Sequence, residues 1–293
     1  MLQNTNPPKE PLINSVTMPE LPEVETTRRG LAPYCETQTI RDIVIRTPAL
    51  RWPIPPQIAD ITRGQRIIAL ERRAKYLIFR LDSGNILIHL GMSGNLRLTD
   101  AQTPFQKHDH VDIVLTNGNC LRLRDPRRFG ALLWQKGEAA SHPLLNRLGI
   151  EPLAEQFDGE ILYQLSRCRA AIKTVLMDSH RIVGIGNIYA NEALFQAGVH
   201  PELPAQQLTR DAAGLLATAI RQILLRAIDA GGSSLRDFLD GHGNPGYFQQ
   251  QYTVYGRSGQ PCLRCGHAIE HLRQQQRSSY FCPYCQKNQR QAQ

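Results

Sequence analysis

Apolar and polar residues alternate with a period of two over much of residues 38–135. The clearest example is a pair of alternating runs, 111–115 and 121–124, on either side of Asn117-Gly118. Asn-Gly between two such runs is a strong hairpin signal. Another turn signal, Asp82-Ser-Gly-Asn, also separates two apolar runs. Several short strands without a long helix between them predict a β-sandwich or barrel.

The pattern becomes helical after about residue 140. One helix is predicted to stop at Gly231-Gly232, and another is predicted after Gly184-Ile-Gly. The apolar face of the first helix consists of Leu216, Ile220, Ile223, Leu224, Ala227 and Ile228. A third helix is predicted from Pro22 to about Gly30–Leu31, since proline and acids suit its first turn and bases its last.

These changes predict an α+β multidomain chain in four segments. Residues 1–17 are polar, contain prolines and lack periodicity, so we expect residues 1–18 to be a disordered extension that includes Met18. A β-sandwich domain is expected over 19–150, with a linker near 149–155. A helical domain is expected over 151–240 and a cysteine-rich segment over 250–287.

Composition removes several classes of protein. The 293 residues are 41% apolar and 20% charged, which fits a globular chain of about two domains. No run of apolar residues is long enough to span a membrane, and the first residues lack the features of a secretory signal. We therefore expect a cytoplasmic location. The formal net charge of +8 favours a polyanionic partner without naming it.

Four of the seven cysteines form the pattern Cys262-x2-Cys265-x16-Cys282-x2-Cys285. Two CxxC turns across a short loop suit one tetrahedral Zn²⁺. Two disulfides or four structural thiols are the alternatives, but a reducing compartment favours one structural zinc. The four thiolates and the metal lower the charge surplus to about +6. Residues 256–293 remain basic, which indicates either a phosphate-contacting tip or a solvated basic tail.

Six motifs and the cysteine pattern together closely resemble bacterial formamidopyrimidine-DNA glycosylases (the Fpg/MutM family). The resemblance covers about residues 18–287, in order and at plausible spacings. The motifs are Met18-Pro-Glu-Leu-Pro-Glu-Val-Glu-Thr, Arg72-Arg-Ala-Lys-Tyr-Leu, His89-Leu-Gly-Met-Ser-Gly, Lys107-His-Asp-His-Val-Asp, Asp125-Pro-Arg-Arg-Phe-Gly and Gly184-Ile-Gly-Asn-Ile-Tyr-Ala-Asn-Glu.

The resemblance implies a base-excision repair enzyme with glycosylase (hydrolase) and AP lyase activities. Its substrate would be double-stranded DNA containing 8-oxoguanine or formamidopyrimidines, and the strand would be cut by β,δ-elimination. The implied fold is an N-terminal β-sandwich with flanking helices, a helix–two-turns–helix domain and a C-terminal zinc-finger β-hairpin. One structural zinc and a monomeric state are also implied.

The resemblance also implies the catalytic residues. Pro19, freed by removal of Met18, would attack the sugar C1′ with its secondary amine, and a helix starting at Pro22 would lower the pKa of that amine. Glu20 would protonate the sugar ring, and Glu23 would be a second carboxylate near the site. Lys75 and Arg277 would contact phosphate and assist β- and δ-elimination. Without the resemblance, residues 19–23 would be interpreted as an exposed helix start.

Three side chains would fill the space left by the flipped base, namely Met92, Arg127 and Phe129. Without the resemblance, Met92 and Phe129 would be assigned to the core. Arg127 would also bond the orphaned cytosine. Further DNA contacts are expected from His108, Arg128, Asn187 and Arg169. The alternative role for Asn187 is a simple helix cap, which is compatible with a phosphate contact. The lesion-recognition loop would include Ser233, Ser234 and Arg236.

Two features depart from the family. Residues 1–17 precede Met18, and a retained extension would make the Pro19 nitrogen an amide, so we expect translation to start at Met18 or the extension to be clipped. Cys168 stands where the family commonly has a lysine, with Arg167 or Arg169 as possible substitutes.

Two rival functions stay open at this point. An enzyme of the endonuclease VIII type, which removes oxidised pyrimidines, would share Pro19, Glu20, Lys75 and the zinc finger. The set of Met92, Arg127 and Phe129 and the loop over 231–238 favour the purine enzyme. A non-catalytic zinc-ribbon DNA-binding protein would result if residues 1–18 were retained.

Overall fold

The computed structural model describes residues 18–233 and 247–287. Its α-helices are α1 (Leu21–Cys35), α2 (Ile58–Thr62), α3 (Gly159–Leu165), α4 (Ile172–Leu176), α5 (Asn187–Gln196) and α6 (Arg210–Asp229). Its strands are β1 (Ile40–Ile45), β2 (Ile67–Arg73), β3 (Tyr76–Leu81), β4 (Gly84–His89), β5 (Asn95–Asp100), β6 (Asp109–Leu115), β7 (Asn119–Arg124), β8 (Ala131–Lys136), β9 (Glu270–Gln274) and β10 (Arg277–Phe281). Short 3₁₀ helices cover Ala139–Ser141, Ala205–Gln207 and Phe248–Gln251.

The predicted β-sandwich is confirmed as two four-stranded antiparallel sheets. Their strand orders are β1-β6-β7-β5 and β2-β3-β4-β8. The hairpin predicted at Asn117-Gly118 joins β6 to β7, with Ile113 opposite Leu121. Alternate residues of both sheets point into one buried core, because side chains on a strand change face at every residue.

Helix α1 belongs to two cores. Leu21 packs in the core of the helical region, whereas Val24 and Leu31 pack in the sandwich core. Residues 18–20 therefore lie at the junction between the two regions.

The predicted end of α1 near Gly30–Leu31 is wrong, since the helix continues to Cys35. Leu31 and Cys35 are fully buried one turn apart, so they extend the buried face past Gly30. Burial of these side chains outweighs the ~1 kcal/mol cost of a glycine within a helix.

The two helices predicted after residue 140 are confirmed as α5 and α6. The Thr209 side chain caps α6 by accepting a hydrogen bond from the Ala212 N–H at 3.2 Å. The helix ends before Gly231 and Gly232, which have φ values of +77° and +80°. Its apolar face packs against α3 and α5 in one core.

The segment that precedes the β9–β10 hairpin is bound to α5 at two places. The Glu192 carboxylate of α5 accepts hydrogen bonds from the backbone N–H groups of Val254 at 3.0 Å and Tyr255 at 2.8 Å. At the C-terminal end of α5, the Arg264 guanidinium donates to the carbonyls of Phe195 and Gln196. These contacts fix the orientation of the cysteine-rich segment against the helical region.

Within residues 18–233 and 247–287, no helix combines the length and the apolar character that crossing a bilayer would require.

A buried ion pair supports the loop that carries His108. Arg122 is 1% exposed, and its guanidinium donates to both carboxylate oxygens of Asp112 at 2.8 Å. Its remaining nitrogen donates to the carbonyls of Thr103 and Pro104 at 3.0 and 3.2 Å. The arginine therefore ties the sandwich core to the 101–108 loop.

The substitution Arg122→Met is expected to lower the free energy of unfolding by about 3 to 5 kcal/mol, because it leaves Asp112 with less compensation for its buried charge. Urea denaturation measures the loss. The control is Arg63→Met, which removes an exposed pair with Asp42 and should leave the midpoint close to that of the wild type. Equal losses in the two variants would contradict the prediction.

Candidate active site and nucleic-acid interface

Pro19 and Glu20 lie buried at the start of α1. The backbone N–H of Glu20 donates to the Glu23 carboxylate at 2.9 Å, as in a capping box. The Leu21 N–H donates to the Gly184 carbonyl at 3.0 Å. These bonds fix the backbone on the C-terminal side of Pro19 and place that residue at the positive end of α1.

The Glu20 carboxylate points at the N-terminal end of α5. It accepts hydrogen bonds from the N–H groups of Gly186 at 2.8 Å and Ile188 at 3.1 Å. A Cβ atom on Gly186 would lie 2.2 Å from the Glu20 carboxyl carbon, so only glycine permits this approach. Burial raises the pKa of Glu20 to about 7, with Lys75 opposing the shift and Glu23 adding to it. Such a carboxyl group can donate a proton near neutral pH.

Glu23 is the second carboxylate that the resemblance placed near the site. It accepts hydrogen bonds from the Tyr189 hydroxyl at 2.6 Å and the Ser233 N–H at 2.7 Å. Burial raises its pKa, and these hydrogen bonds oppose the shift. The structure therefore brings Ser233 to the carboxylate cluster. Ser234 and Arg236, the other predicted residues of the loop, lie outside the described residues.

Lys75 lies in a cleft beside Met18. The turn between β2 and β3 places Ala74 at φ +54° and directs the following lysine into a cavity of about 490 Å³. Met18, His89 and Arg277 line the same cavity. Burial lowers the pKa of Lys75, Glu20 opposes this shift, and Arg277 adds to it. Lys75 and Arg277 thus face one cleft from different regions of the fold.

Arg277 follows a tight turn at the tip of the β9–β10 hairpin. The turn residues Gln275 and Gln276 have φ values of +45° and +63°, as a two-residue hairpin turn with the twist of its strands requires. The guanidinium lies 4.0 Å from the Met177 sulfur, at the end of α4. It remains exposed and available to a phosphate.

Lys173 lies beside the site but was not among the residues predicted from the sequence. Its ammonium group is buried and donates to the Ser278 carbonyl at 2.9 Å and the Ser279 hydroxyl at 2.7 Å. Burial lowers its pKa to about 7, and Arg277 adds to the shift. The available signal was a lysine that directly follows two apolar residues, in the run Ala171-Ile172-Lys173.

His89 begins one of the motifs but was also not among the predicted site residues. Its Nδ1 accepts a hydrogen bond from the Gly91 N–H at 3.0 Å, and the ring lines the cleft with Lys75. Burial lowers the pKa of His89 to about 4, with Lys75 and Arg51 adding to the shift. The ring is therefore neutral at pH 7, and its other nitrogen can donate a hydrogen bond.

The three predicted void-filling side chains lie on two neighbouring loops. Phe129 is 42% exposed, and the Arg127 guanidinium stacks over its ring at 4.9 Å. Met92 is partly buried on the loop after His89. An exposed phenylalanine with a cation stacked on its ring is suited to insertion between bases.

The predicted phosphate contacts are more widely spread. His108 and Arg128 lie near the void-filling loops and have φ values of +76° and +56°. Asn187 is the first residue of α5 and the N-cap is Gly186, so the simple helix-cap interpretation of Asn187 is wrong. Its amide oxygen is buried and has no hydrogen-bond partner among the described residues.

Arg167 and Arg169, on either side of Cys168, differ in their contacts with the described residues. The Arg167 guanidinium donates to the carbonyls of Ala205 and Leu208 and stacks on the Tyr163 ring at 3.9 Å. Arg169 is exposed on the loop before α4. Of the two proposed substitutes for the family lysine, Arg169 is therefore the one without a contact to the neighbouring described backbone, and its role stays a prediction.

The four finger cysteines converge on one point. Their sulfur atoms lie within 4.8 Å of one another, and the Sγ of Cys265 is 3.4 Å from those of Cys282 and Cys285. The thiolates around a tetrahedral zinc lie ~3.8 Å apart. The backbone N–H of Arg264 donates to the Cys262 sulfur at 3.4 Å, as suits a thiolate ligand. The segment holds one structural zinc.

Removal of the zinc is expected to weaken DNA binding at least about tenfold, because the hairpin that carries Arg277 would lose the metal that cross-links its two cysteine pairs. Chelator treatment should remove one equivalent of zinc, and the variant Cys282→Ala should lack that equivalent. Atomic absorption measures the zinc content, and fluorescence anisotropy measures the binding of duplex DNA. Cys120→Ala, which alters a buried cysteine outside the finger, should keep the metal. Unchanged DNA affinity in the metal-free protein would contradict the prediction.

Comparison with known proteins agrees with this site. Three family models match: the formamidopyrimidine-DNA glycosylase N-terminal domain over residues 18–132, the H2TH domain of the same enzymes over 148–239, and a zinc finger found in FPG and IleRS over 259–288. The domain boundaries at 150 and 240 stay predictions.

Relatives match over nearly their whole length. A formamidopyrimidine-DNA glycosylase of Methylobacillus flagellatus is 54% identical over 93% of this chain and 98% of its own. The MutM (Fpg) protein from Thermus thermophilus superposes with a TM-score of 0.81 at 40% identity, covering 92% of this chain and 98% of its own. The Lactococcus lactis Fpg, solved in complex with DNA containing an abasic site, gives 0.84 at 35% identity, covering 92% and 100%.

The residues that converge at the cleft, the zinc-stapled hairpin and the matches over most of the chain lead to one conclusion. This chain belongs to the formamidopyrimidine-DNA glycosylase family.

Proposed function

We propose that this base-excision repair glycosylase excises oxidised purines through a Schiff base on Pro19 and then cuts the strand by β,δ-elimination. The observation that carries the proposal is the position of Pro19, which is buried directly before a carboxyl group with a pKa of about 7. Lys75 and Arg277 face the adjoining cleft from the sandwich and the finger.

The first step joins enzyme and sugar. The Pro19 nitrogen gives its lone pair to C1′, and the bond between C1′ and the damaged base breaks, with the electron pair leaving on the base. The Pro19 nitrogen then loses its proton, which neutralises the departing base. Glu20 transfers its proton to the ring oxygen as the ring opens, and C1′ becomes a positively charged iminium bound to Pro19. This iminium is the electron sink for elimination.

Strand cleavage follows from that positive charge. Loss of a proton from C2′ moves electrons toward the iminium and expels the 3′ phosphate. Loss of a proton from C4′ then drives a second elimination, which expels the 5′ phosphate. Lys75 binds the phosphate beside the lesion and supplies a proton. We assign Arg277 to the phosphate grip, because a guanidinium hardly deprotonates.

The void-filling side chains make C1′ accessible. Met92 and Phe129 occupy the space left by the flipped base, and Arg127 bonds the orphaned base. His108, Arg128, Asn187 and Arg169 bind neighbouring phosphates, and Ser233, Ser234 and Arg236 belong to the loop that covers the lesion. The zinc, held by its four cysteines, fixes the hairpin that presents Arg277. We place the enzyme in the bacterial cytoplasm as a monomer acting on chromosomal DNA.

The test is excision from matched duplexes that contain 8-oxoguanine or thymine glycol opposite the same base. A chain that begins at Pro19 should excise 8-oxoguanine at least tenfold faster than thymine glycol. Faster release of thymine glycol would favour the endonuclease VIII type, and binding without excision or trapping would favour the non-catalytic alternative.

A further inference from the structure

The two loops that carry the void-filling side chains leave the sandwich side by side. The 90–94 loop joins β4 to β5, and the 125–130 loop joins β7 to β8. β4 pairs with β8 in one sheet, whereas β5 pairs with β7 in the other. Each loop therefore crosses between the sheets at the same end of the sandwich.

Ser93 links the loops through its hydroxyl group. The hydroxyl donates to the Asp125 carboxylate at 2.7 Å and accepts from the Arg127 N–H at 3.1 Å. Both Ser93 and Asp125 are buried, at 6% and 0% exposure. A buried hydroxyl bonded from both sides has one orientation, so it sets the register of the first loop against the second.

Asp125 closes the second loop at both ends. Its other carboxylate oxygen accepts from the Gly130 N–H at 2.7 Å, and its carbonyl accepts from the Arg128 N–H at 3.1 Å. Its own N–H donates to the His108 carbonyl at 3.0 Å. One residue thus holds the backbone around Arg127 and Phe129 and connects it to that of His108.

The loops also touch through their backbones. A Cβ atom on Gly91 would lie 2.4 Å from the Phe129 carbonyl carbon. Below this contact, the His110 Nε2 lies 2.8 Å from the Asp125 carbonyl and its Nδ1 lies 3.0 Å from the Thr47 hydroxyl. The close approach leaves little freedom for either loop to shift alone.

We propose that Ser93 and Asp125 are positioning residues that join the 90–94 and 125–130 loops into one wedge. The wedge presents Met92, Arg127 and Phe129 to the duplex in a fixed arrangement, so less conformational entropy is lost when they enter the base stack. This inference rests on the proposed function. It concerns the flipping of the damaged base out of the duplex, not the chemistry at C1′.

The variant Ser93→Ala, in a chain beginning at Pro19, separates these two steps. Single-turnover excision of 8-oxoguanine from a duplex should fall about tenfold, since a hydrogen bond to a carboxylate is lost. Cleavage of an abasic site in single-stranded DNA needs no void filling and should stay within about twofold of the wild type. Thr62→Val, which removes a buried hydroxyl of α2, is the matched control for both substrates.

A second comparison identifies the pathway of the effect. If Ser93 acts through the wedge, Ser93→Ala should cost much less in a Phe129→Ala background than in the wild type. Equal losses on both substrates, no loss on the duplex, or full additivity with Phe129→Ala would overturn the inference. A wild-type chain unable to excise the lesion would overturn the proposed function and this inference together. Wild-type excision is therefore measured before any variant is compared.

Discussion

A chain that retains residues 1–18 is expected to form no borohydride-trapped adduct with lesion DNA, whereas a chain that begins at Pro19 is expected to be trapped. Any residue attached to the Pro19 nitrogen turns it into an amide, whose lone pair is delocalised into the carbonyl and cannot form an iminium. The two chains are mixed with an 8-oxoguanine duplex and borohydride, and the adduct is measured on a denaturing gel.

DNA binding provides the control for this comparison. The groups placed at the DNA surface, including Arg127 and Arg277, lie outside residues 1–18, so binding of undamaged duplex by the two chains should agree within about threefold. Loss of trapping with binding intact assigns the defect to the amine. An adduct of the longer chain, confirmed by intact mass to retain residues 1–18, would contradict the assignment.

The substitution Glu20→Gln is expected to reduce excision of 8-oxoguanine by about 10²- to 10⁴-fold, because an amide cannot transfer a proton to the sugar ring. Glutamine keeps the size of the side chain and one oxygen that can accept from the Gly186 N–H. Single-turnover kinetics of base release measure the loss.

A preformed abasic site separates the acid role from a structural role. Its sugar already opens to an aldehyde without an acid from the protein, so cleavage there should fall far less than base excision. A Glu20→Gln variant that loses both reactions equally would contradict the assignment of Glu20 as the acid for ring opening.

The pH profile gives a further readout for Glu20. Its pKa is raised to about 7, so its protonated fraction falls as the pH rises through 7. The rate of excision should therefore decline above pH 7. Deprotonation of the Pro19 amine has the opposite effect, and at lower pH it makes the rate rise with pH. Residual excision by Glu20→Gln should lack the decline. A wild-type rate that still rises from about pH 6 to 8.5 would contradict this account.

The sequence predicted the sandwich and the main helices because their signals are local. Asn117-Gly118 predicted the β6–β7 hairpin, and the apolar stripe before Gly231-Gly232 predicted α6. The end of α1 was wrong because packing against the sandwich, which no local pattern contains, overrode Gly30. The zinc site was predictable since its ligands are two close pairs.

The site could be predicted only in part. The resemblance supplied Pro19, Glu20 and Lys75, but not the contact between the Glu20 carboxylate and the α5 N–H groups, which joins residues far apart in sequence. Lys173 and His89 were missed because their significance depends on burial and on Lys75 and Arg277 as neighbours. The Ser93–Asp125 bond likewise appears only when two loops from different sheets meet.

The attacking amine is assigned to Pro19, and two lysines are its competitors. Lys173 has a pKa lowered to about 7, so a fraction of its amine is neutral near physiological pH. Lys75 lies in the cleft beside Met18, and burial lowers its pKa as well. The neutral amine of either lysine can form a Schiff base with an opened sugar.

Peptide mapping of the borohydride-reduced adduct decides among these amines. A chain that begins at Pro19 is trapped on 8-oxoguanine DNA, digested with nuclease and trypsin, and sequenced by mass spectrometry. We expect the sugar remnant on the Pro19 nitrogen, in the peptide covering residues 19–28. A remnant on the peptide that contains Lys75 or Lys173 would contradict it.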